Sequence, residues 1–199
     1  MKRQVVVEYA DASPGVRALY DEAMSTMGLS SVPNWMKSMG TNESVLRATW
    51  EKFRHVVLEG SVPMLLKQLI LFVISINVGN RYCTAAHGHA ALGLDATLSY
   101  EDLFSLAEGD ASASLPKAFQ VAIDVVTRAA LEPKDFAADE EDFTLRLKAV
   151  GFSEQEIDEL MAQADFGVMM NIITDIWHIA PDKPFPASRE GICAPEATT

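Results

Sequence analysis

The stretch from Pro63 to Val78 constrains the fold of this 199-residue chain more than any other. From Met64 onward it is apolar on all sides, and its polar interruptions are Lys67, Gln68, Ser75 and Asn77. A helix that is apolar all round is buried at the centre of a helical domain. Pro63 suits the first helical turn, because its missing N–H removes no helical hydrogen bond. The sequence therefore predicts a central helix that ends at Gly79 in a left-handed cap.

The residues directly after Gly79 include the candidate reactive side chains. Asn80 is predicted to cap a second helix, with its side chain accepting an N–H of the first turn. Cys83 then lies where free N–H groups and the helix dipole lower a thiol pKa, and Arg81 adds positive charge. His87 lies one turn further on the same face. This pair indicates an activated nucleophile or redox thiol; the alternative is a small buried cysteine beside a hydrogen-bonded core histidine.

These residues resemble a known family. The run Asn80-Arg-Tyr-Cys-Thr-Ala-Ala-His87 is similar to the motif of the alkylhydroperoxidase D (AhpD)/carboxymuconolactone decarboxylase superfamily, and more narrowly of its peroxidase-related members. That motif is a Glu followed about twelve positions later by Cys-x-x-Cys-x-x-x-His. The flanking similarities are Lys67-Gln-Leu-Ile70, Ser75 to Asn77, Gly28 with Val32-Pro33-Asn34, Val57-Leu-Glu-Gly60 and Gly151 to Ile157. The resemblance covers roughly residues 15 to 182 and implies an all-α, AhpD-like helical bundle.

The chain departs from the family motif at two positions. Cys83 and His87 match the second cysteine and the histidine, whereas Asn80 replaces the first cysteine and Gln68 replaces the glutamate. Gln68 can orient His87 through a hydrogen bond, but it cannot exchange protons near neutral pH. The resemblance therefore implies a divergent peroxidase-like protein. It would reduce peroxides through one cysteine, with an external thiol as reductant and a small-molecule substrate.

Two other functions stay open. One is a non-redox enzyme of the carboxymuconolactone decarboxylase type, in which a histidine acts as general acid and base on a lactone acid. The other is a binding protein that has lost catalysis. Tyr82, beside the thiol, either lines a pocket or packs, and Cys193 is a surface thiol or a distant resolving thiol. The resemblance also implies a homo-oligomer: a dimer, trimer or hexamer.

Charge and composition exclude several classes of protein. The net charge of −12 argues against nucleic acid and anionic membrane surfaces as partners. No signal peptide is visible, and the uncharged apolar run Leu69 to Ile76 is too short to span a bilayer. His87 and His89 point to different faces of a helix, which argues against a metal site. We expect a cytoplasmic protein without metal or cofactor.

The predicted organisation is an arm at residues 1–12, a single AhpD-like helical domain at 13–181 and a Pro-rich tail at 182–199. No long strand pattern follows residue 10, so the fold class is all-α. One helix is expected over Ala137 to Val150. A long last helix is expected from Ser153. Its apolar stripe is Ile157, Leu160, Met161, Ala164, Val168, Ile172, Ile176 and Ile179.

Overall fold

The structure is a computed structural model, and it describes residues 5–109, 115–138 and 142–183. Within these ranges the chain forms ten α-helices and no strand, which confirms the all-α prediction. The helices are α1 Pro14–Met27, α2 Asn34–Met39, α3 Glu43–Phe53, α4 Met64–Asn77, α5 Arg81–Leu94, α6 Tyr100–Ala107, α7 Lys117–Leu131, α8 Pro133–Ala138, α9 Phe143–Ala149 and α10 Glu154–Ile176. A 3₁₀ turn, Tyr9–Asp11, precedes α1, and a π-helical turn, Arg54–Leu58, follows α3.

Helix α4 is the centre of the fold, as its sequence predicts. Every residue from Leu66 to Ser75 is buried, because α5, α6, α7 and α10 all pack against α4. The chain reverses after α4 at Gly79, whose φ of +76° lies in the left-handed region that glycine adopts without strain. The N–H of Asn80 then donates to the carbonyl of Ser75 at 2.9 Å. Helices α4 and α5 therefore lie side by side.

A buried lysine fixes the start of α4 against the π-helical turn. Lys67 is 1% exposed, and its ammonium donates to the carbonyl oxygens of Val56 and Glu59. It also lies 3.6 Å from a carboxylate oxygen of Glu159. Burial lowers the pKa of Lys67, whereas Glu159 opposes that shift. The π turn leaves backbone carbonyls without helical partners, and Lys67 satisfies them.

The prediction of one helix over Ala137 to Val150 is wrong. Helix α8 ends at Ala138, and α9 begins at Phe143. Asp142 caps α9, because its carboxylate accepts the N–H groups of Thr144 and Leu145. Residues 139–141 lie outside the described part of the chain.

The predicted apolar stripe of α10 is also wrong in its second half. Ile172 and Ile176 are 52% and 61% exposed, whereas Phe166, Met170 and Thr174 are buried. Gly167 lets α10 approach α4 closely, since an added Cβ there would lie 3.2 Å from Leu71. The buried face of α10 is partly polar, because it includes Gln163, Asn171 and Thr174.

The ends of the described chain pack against the helices. The N–H of Val7 donates to the carbonyl of Lys37 at 3.0 Å. Residues 184–199, including Cys193, lie outside the described ranges. In the described ranges no helix combines the length and the apolar character that a bilayer crossing needs.

Candidate functional site

Cys83 lies at one wall of a cavity of about 350 Å³. Its side chain is in the first turn of α5, and the residue is 3% exposed. The cavity wall is largely apolar and includes Leu29, Trp35, Phe53, Leu58, Phe166 and Met170. Tyr82, His87 and Gln68 line the same cavity. The structure therefore brings the sequence-predicted thiol, histidine and glutamine together at one apolar space.

Gln68 and His87 meet across α4 and α5. The Oε1 atom of Gln68 lies 2.8 Å from Nδ1 of His87, which confirms the predicted contact. The amide nitrogen of Gln68 points the other way, toward the sulfur of Met64 at 3.5 Å. Because an amide oxygen only accepts hydrogen bonds, Nδ1 carries the proton and Nε2 of the neutral ring is an acceptor. In the described ranges no side chain or backbone group hydrogen-bonds to Nε2.

Burial holds both His87 and Cys83 in their neutral forms. It lowers the pKa of His87 to about 4. It also raises the pKa of Cys83 to about 12, and Asp175 adds to that rise, whereas hydrogen bonds from Thr174 and Ser75 oppose it. The charged form of a buried group loses its hydration, and this loss dominates here. The centre therefore rests as a thiol beside a neutral imidazole.

The predicted low pKa of Cys83 is thus wrong, although its helix position is as expected. Its backbone N–H already donates to the side-chain oxygen of Asn80 at 2.7 Å, so the cap occupies that donor. Arg81 is exposed and is not among the groups that shift the Cys83 pKa. The rise in the Cys83 pKa caused by desolvation is consequently larger than the lowering expected from its position at the start of α5.

Asn80 caps α5 as predicted, and it also joins α5 to α10. The residue is fully buried. The two hydrogens of its amide nitrogen are shared among three acceptors: the carbonyl of Asn171 at 3.1 Å, the hydroxyl of Thr174 at 2.8 Å and Asp175 at 2.7 Å. The Thr174 hydroxyl lies 3.7 Å from the Cys83 sulfur. Position 80 therefore holds an amide that is hydrogen-bonded to α10, three residues before the thiol.

Sequence reasoning missed Asp182. Its Oδ2 accepts from the Tyr82 hydroxyl, and its Oδ1 accepts from the N–H of Asn34 at 2.8 Å. Burial raises the pKa of Asp182 and holds that of Tyr82 well above its usual value. Tyr82 both packs in the core and lines the cavity. No sequence signal distinguished this aspartate, because it lies among prolines in a stretch predicted to be an irregular tail.

The described residues contain no group of three or more histidine, cysteine or acidic side chains arranged to hold a metal ion. His87 turns toward Gln68, whereas His89 is exposed at the edge of the cavity. Both imidazoles line the cavity, and they differ in that His87 is hydrogen-bonded to Gln68 whereas His89 is exposed.

Comparison with solved structures finds proteins of similar fold, whereas comparison with family models and curated proteins finds no match. No protein-family model matches the sequence. No curated protein matches it either. Among solved structures, an AhpD-core, peroxidase-related protein from Ralstonia eutropha JMP134 is similar over 90% of this chain and 92% of its own, with a TM-score of 0.75 and 19% identity. A peroxidase-related protein from Silicibacter sp. TM1040 is similar over 92% and 95%, with a TM-score of 0.75 and 21% identity.

A third similar structure is the debrominase Bmp8, as a cysteine-to-alanine variant in complex with 2,3,4-tribromopyrrole. It covers 92% of this chain and 94% of its own, with a TM-score of 0.74 and 19% identity. These identities are low, whereas the coverage is nearly complete, so the shared property is the course of the backbone. The chain therefore has the AhpD-like fold of peroxidase-related proteins.

Proposed function

We propose that the chain is a one-cysteine, thiol-dependent peroxide reductase, with Cys83 as nucleophile and His87 as its general base. The observation that supports this most is that both groups line one cavity, one turn apart on α5, while Gln68 leaves Nε2 of His87 free to accept a proton. The fold shared with peroxidase-related proteins supports the same class of chemistry.

The reaction would proceed in two stages. His87 accepts the thiol proton, and the Cys83 sulfur attacks one oxygen of a hydroperoxide. The S–O bond forms and the O–O bond breaks, and the departing alkoxide takes the proton from His87 to leave as an alcohol. The resulting sulfenic acid reacts with an external thiol to give a mixed disulfide and water. A second thiol then releases Cys83 and carries away the disulfide.

The neutral resting state predicts slow turnover. With a Cys83 pKa of about 12 and a His87 pKa of about 4, few molecules hold a thiolate at neutral pH. Gln68 cannot supply the charge that a carboxylate would give to stabilise a protonated imidazole. We therefore expect peroxide reduction to be measurable but weak.

The test uses an organic hydroperoxide with dithiothreitol as reductant. We expect turnover in the native protein and in Cys193→Ser, and its loss in Cys83→Ser. Mass spectrometry after dimedone trapping should locate the sulfenic acid at Cys83. Equal turnover in Cys83→Ser would overturn the proposal and favour the non-redox or binding alternatives.

A second candidate is thiol-dependent dehalogenation, and the similarity to the debrominase favours it. A halogenated aromatic ring that carries an N–H suits an apolar cavity with an accepting imidazole nitrogen. The Cys83 sulfur would take the bromine as the C–Br bond breaks, and the ring carbon would take a proton. An external thiol would then displace bromide from sulfur, and a second thiol would restore Cys83. Bromide release from 2,3,4-tribromopyrrole, lost in Cys83→Ser, is the measurement that checks it.

A further inference from the structure

The chain after α10 returns to the cavity. His178 adopts a left-handed φ of +50°, and the N–H of Ile179 donates to the carbonyl of Thr174 at 3.0 Å. This turn ends the helix and redirects the chain. The side chain of Asn34 then donates to the carbonyl of Ala180 at 3.1 Å, and Asp182 lines the cavity. Residues 180–183 thus lie against the start of α2, beside the space that Cys83 borders.

The hydrogen bonds of Asp182 are those of an ionised carboxylate. Both of its oxygens accept, one from the Asn34 N–H and one from the Tyr82 hydroxyl. Pro33, the N-cap residue of α2, makes no side-chain cap bond, so Asp182 supplies this acceptor from a distant part of the chain. The carboxylate is therefore fixed on the cavity wall, joined to the residue next to Cys83.

In the described part of the chain, the other charged groups near this carboxylate are compensated or solvated. Lys37 acts on Asp182 electrostatically, but its ammonium pairs with Glu8 at 2.8 Å. Lys183 also lines the cavity and is exposed to solvent. His87 is neutral near pH 7, because its pKa is about 4. The charge that is held inside the cavity wall is therefore negative.

We propose that Asp182 is the specificity-determining residue of this cavity, because its fixed carboxylate turns away anionic molecules and selects an uncharged substrate. This proposal specifies the substrate class of the proposed peroxide reductase, and its importance for catalysis rests on that proposed function. An anion entering the cavity would lose hydration and approach a like charge that is poorly screened. Hydroperoxides and bromopyrroles are uncharged, whereas a lactone acid is an anion and would be excluded.

The test measures access to Cys83 and needs no turnover. In a Cys193→Ser background, Cys83 is the single thiol. It is alkylated with iodoacetamide, which is uncharged, and with iodoacetate, an anion of nearly the same size. The ratio of the iodoacetamide rate to the iodoacetate rate is measured for Cys83 and for free 2-mercaptoethanol. The ratio for 2-mercaptoethanol gives the intrinsic difference in reactivity between the two reagents, because this small thiol carries no other charged group. Asp182→Asn removes the charge and keeps the shape. Asp158→Asn, at an exposed carboxylate of α10 away from the cavity, is the matched control.

We expect the iodoacetamide-to-iodoacetate ratio of Cys83 to exceed that of 2-mercaptoethanol by about tenfold or more. Asp182→Asn should bring the ratio close to the reference, and Asp158→Asn should leave it unchanged. Asp182→Ala, which removes the hydrogen bonds as well, should raise both rates.

An unchanged ratio in Asp182→Asn would overturn the proposal, as would a failure of both reagents to label Cys83 in every variant. Circular dichroism confirms that each variant is folded. Absence of peroxide turnover would count against the proposed function alone, because the labelling ratio does not depend on catalysis.

Discussion

The amide oxygen of Gln68 lies 2.8 Å from Nδ1 of His87 and fixes the imidazole as its Nδ1–H tautomer. A neutral partner cannot stabilise an imidazolium ion as a carboxylate does, so the ring stays neutral in its half-buried position. The hydrogen bond therefore orients the imidazole without adding a charge beside it.

Gln68→Glu should raise the pKa of His87 from its present value of about 4. The introduced carboxylate would accept from Nδ1–H and favour the charged ring by its opposite charge. NMR titration of the His87 ring nitrogens measures the change directly. Gln155→Glu, which adds the same charge at an exposed position of α10, should leave His87 unaffected. A His87 pKa that stays in place in Gln68→Glu would contradict the assigned contact.

The alkylation rate of Cys83 should keep rising with pH through the alkaline range. Below its pKa of about 12, the thiolate fraction grows tenfold with each pH unit. An unperturbed thiol instead levels off above about pH 8.5. The measurement is the iodoacetamide rate in Cys193→Ser between neutral pH and about pH 10, where the protein is still folded by circular dichroism. An alkylation rate that levels off at or below the ordinary thiol pKa would show that the helix start lowers the Cys83 pKa more than burial raises it.

Asn80→Ala should destabilise the protein by about 2 kcal/mol, more than an ordinary cap loss of about 1 kcal/mol. The variant removes the cap of α5 and also the three donor contacts to α10. The matched control is Asn42→Ala, because Asn42 caps α3 through one N–H and is exposed. Urea unfolding of both variants checks the difference. Equal losses would mean that the contacts to α10 add nothing to stability.

His87 should weaken the fold in acid. Its pKa is about 4 in the folded chain and near 6.5 when unfolded. Between these values the unfolded chain binds more protons, so the free energy of unfolding falls as the pH falls through this window. The loss contributed by His87 is up to about 3 kcal/mol, and it is complete below the folded pKa.

The corresponding measurement compares urea unfolding near pH 7 and pH 4.5 in three proteins. His87→Gln should lose less stability on acidification than the native chain. His178→Asn, which removes an exposed imidazole and keeps a residue that tolerates the left-handed backbone, is the matched control. An identical acid response in His87→Gln would contradict the assigned pKa.

Local sequence determined the two central helices, α4 and α5, and the position of the thiol. The all-round apolar run predicted α4, Gly79 predicted its end, and Asn80 predicted the start of α5. Spacing then placed Cys83 and His87 on one face. The reversal at Gly79 made contact between Gln68 and His87 predictable. These features depend on neighbours within a few residues or on one tight turn, so pattern and capping chemistry suffice to predict them.

Tertiary structure decided the electrostatics of the site. The pKa of Cys83 depends on burial by α10 and the first three helices, and no local pattern reports that burial. The buried face of the second half of α10 could not be predicted from local pattern either. This face is partly polar and is set by contacts with α4 and Asn80. Asp182 reaches Tyr82 and Asn34 across about 100 to 150 residues of chain. Desolvation and long-range hydrogen bonds depend on which distant segments meet, and only the folded chain determines that.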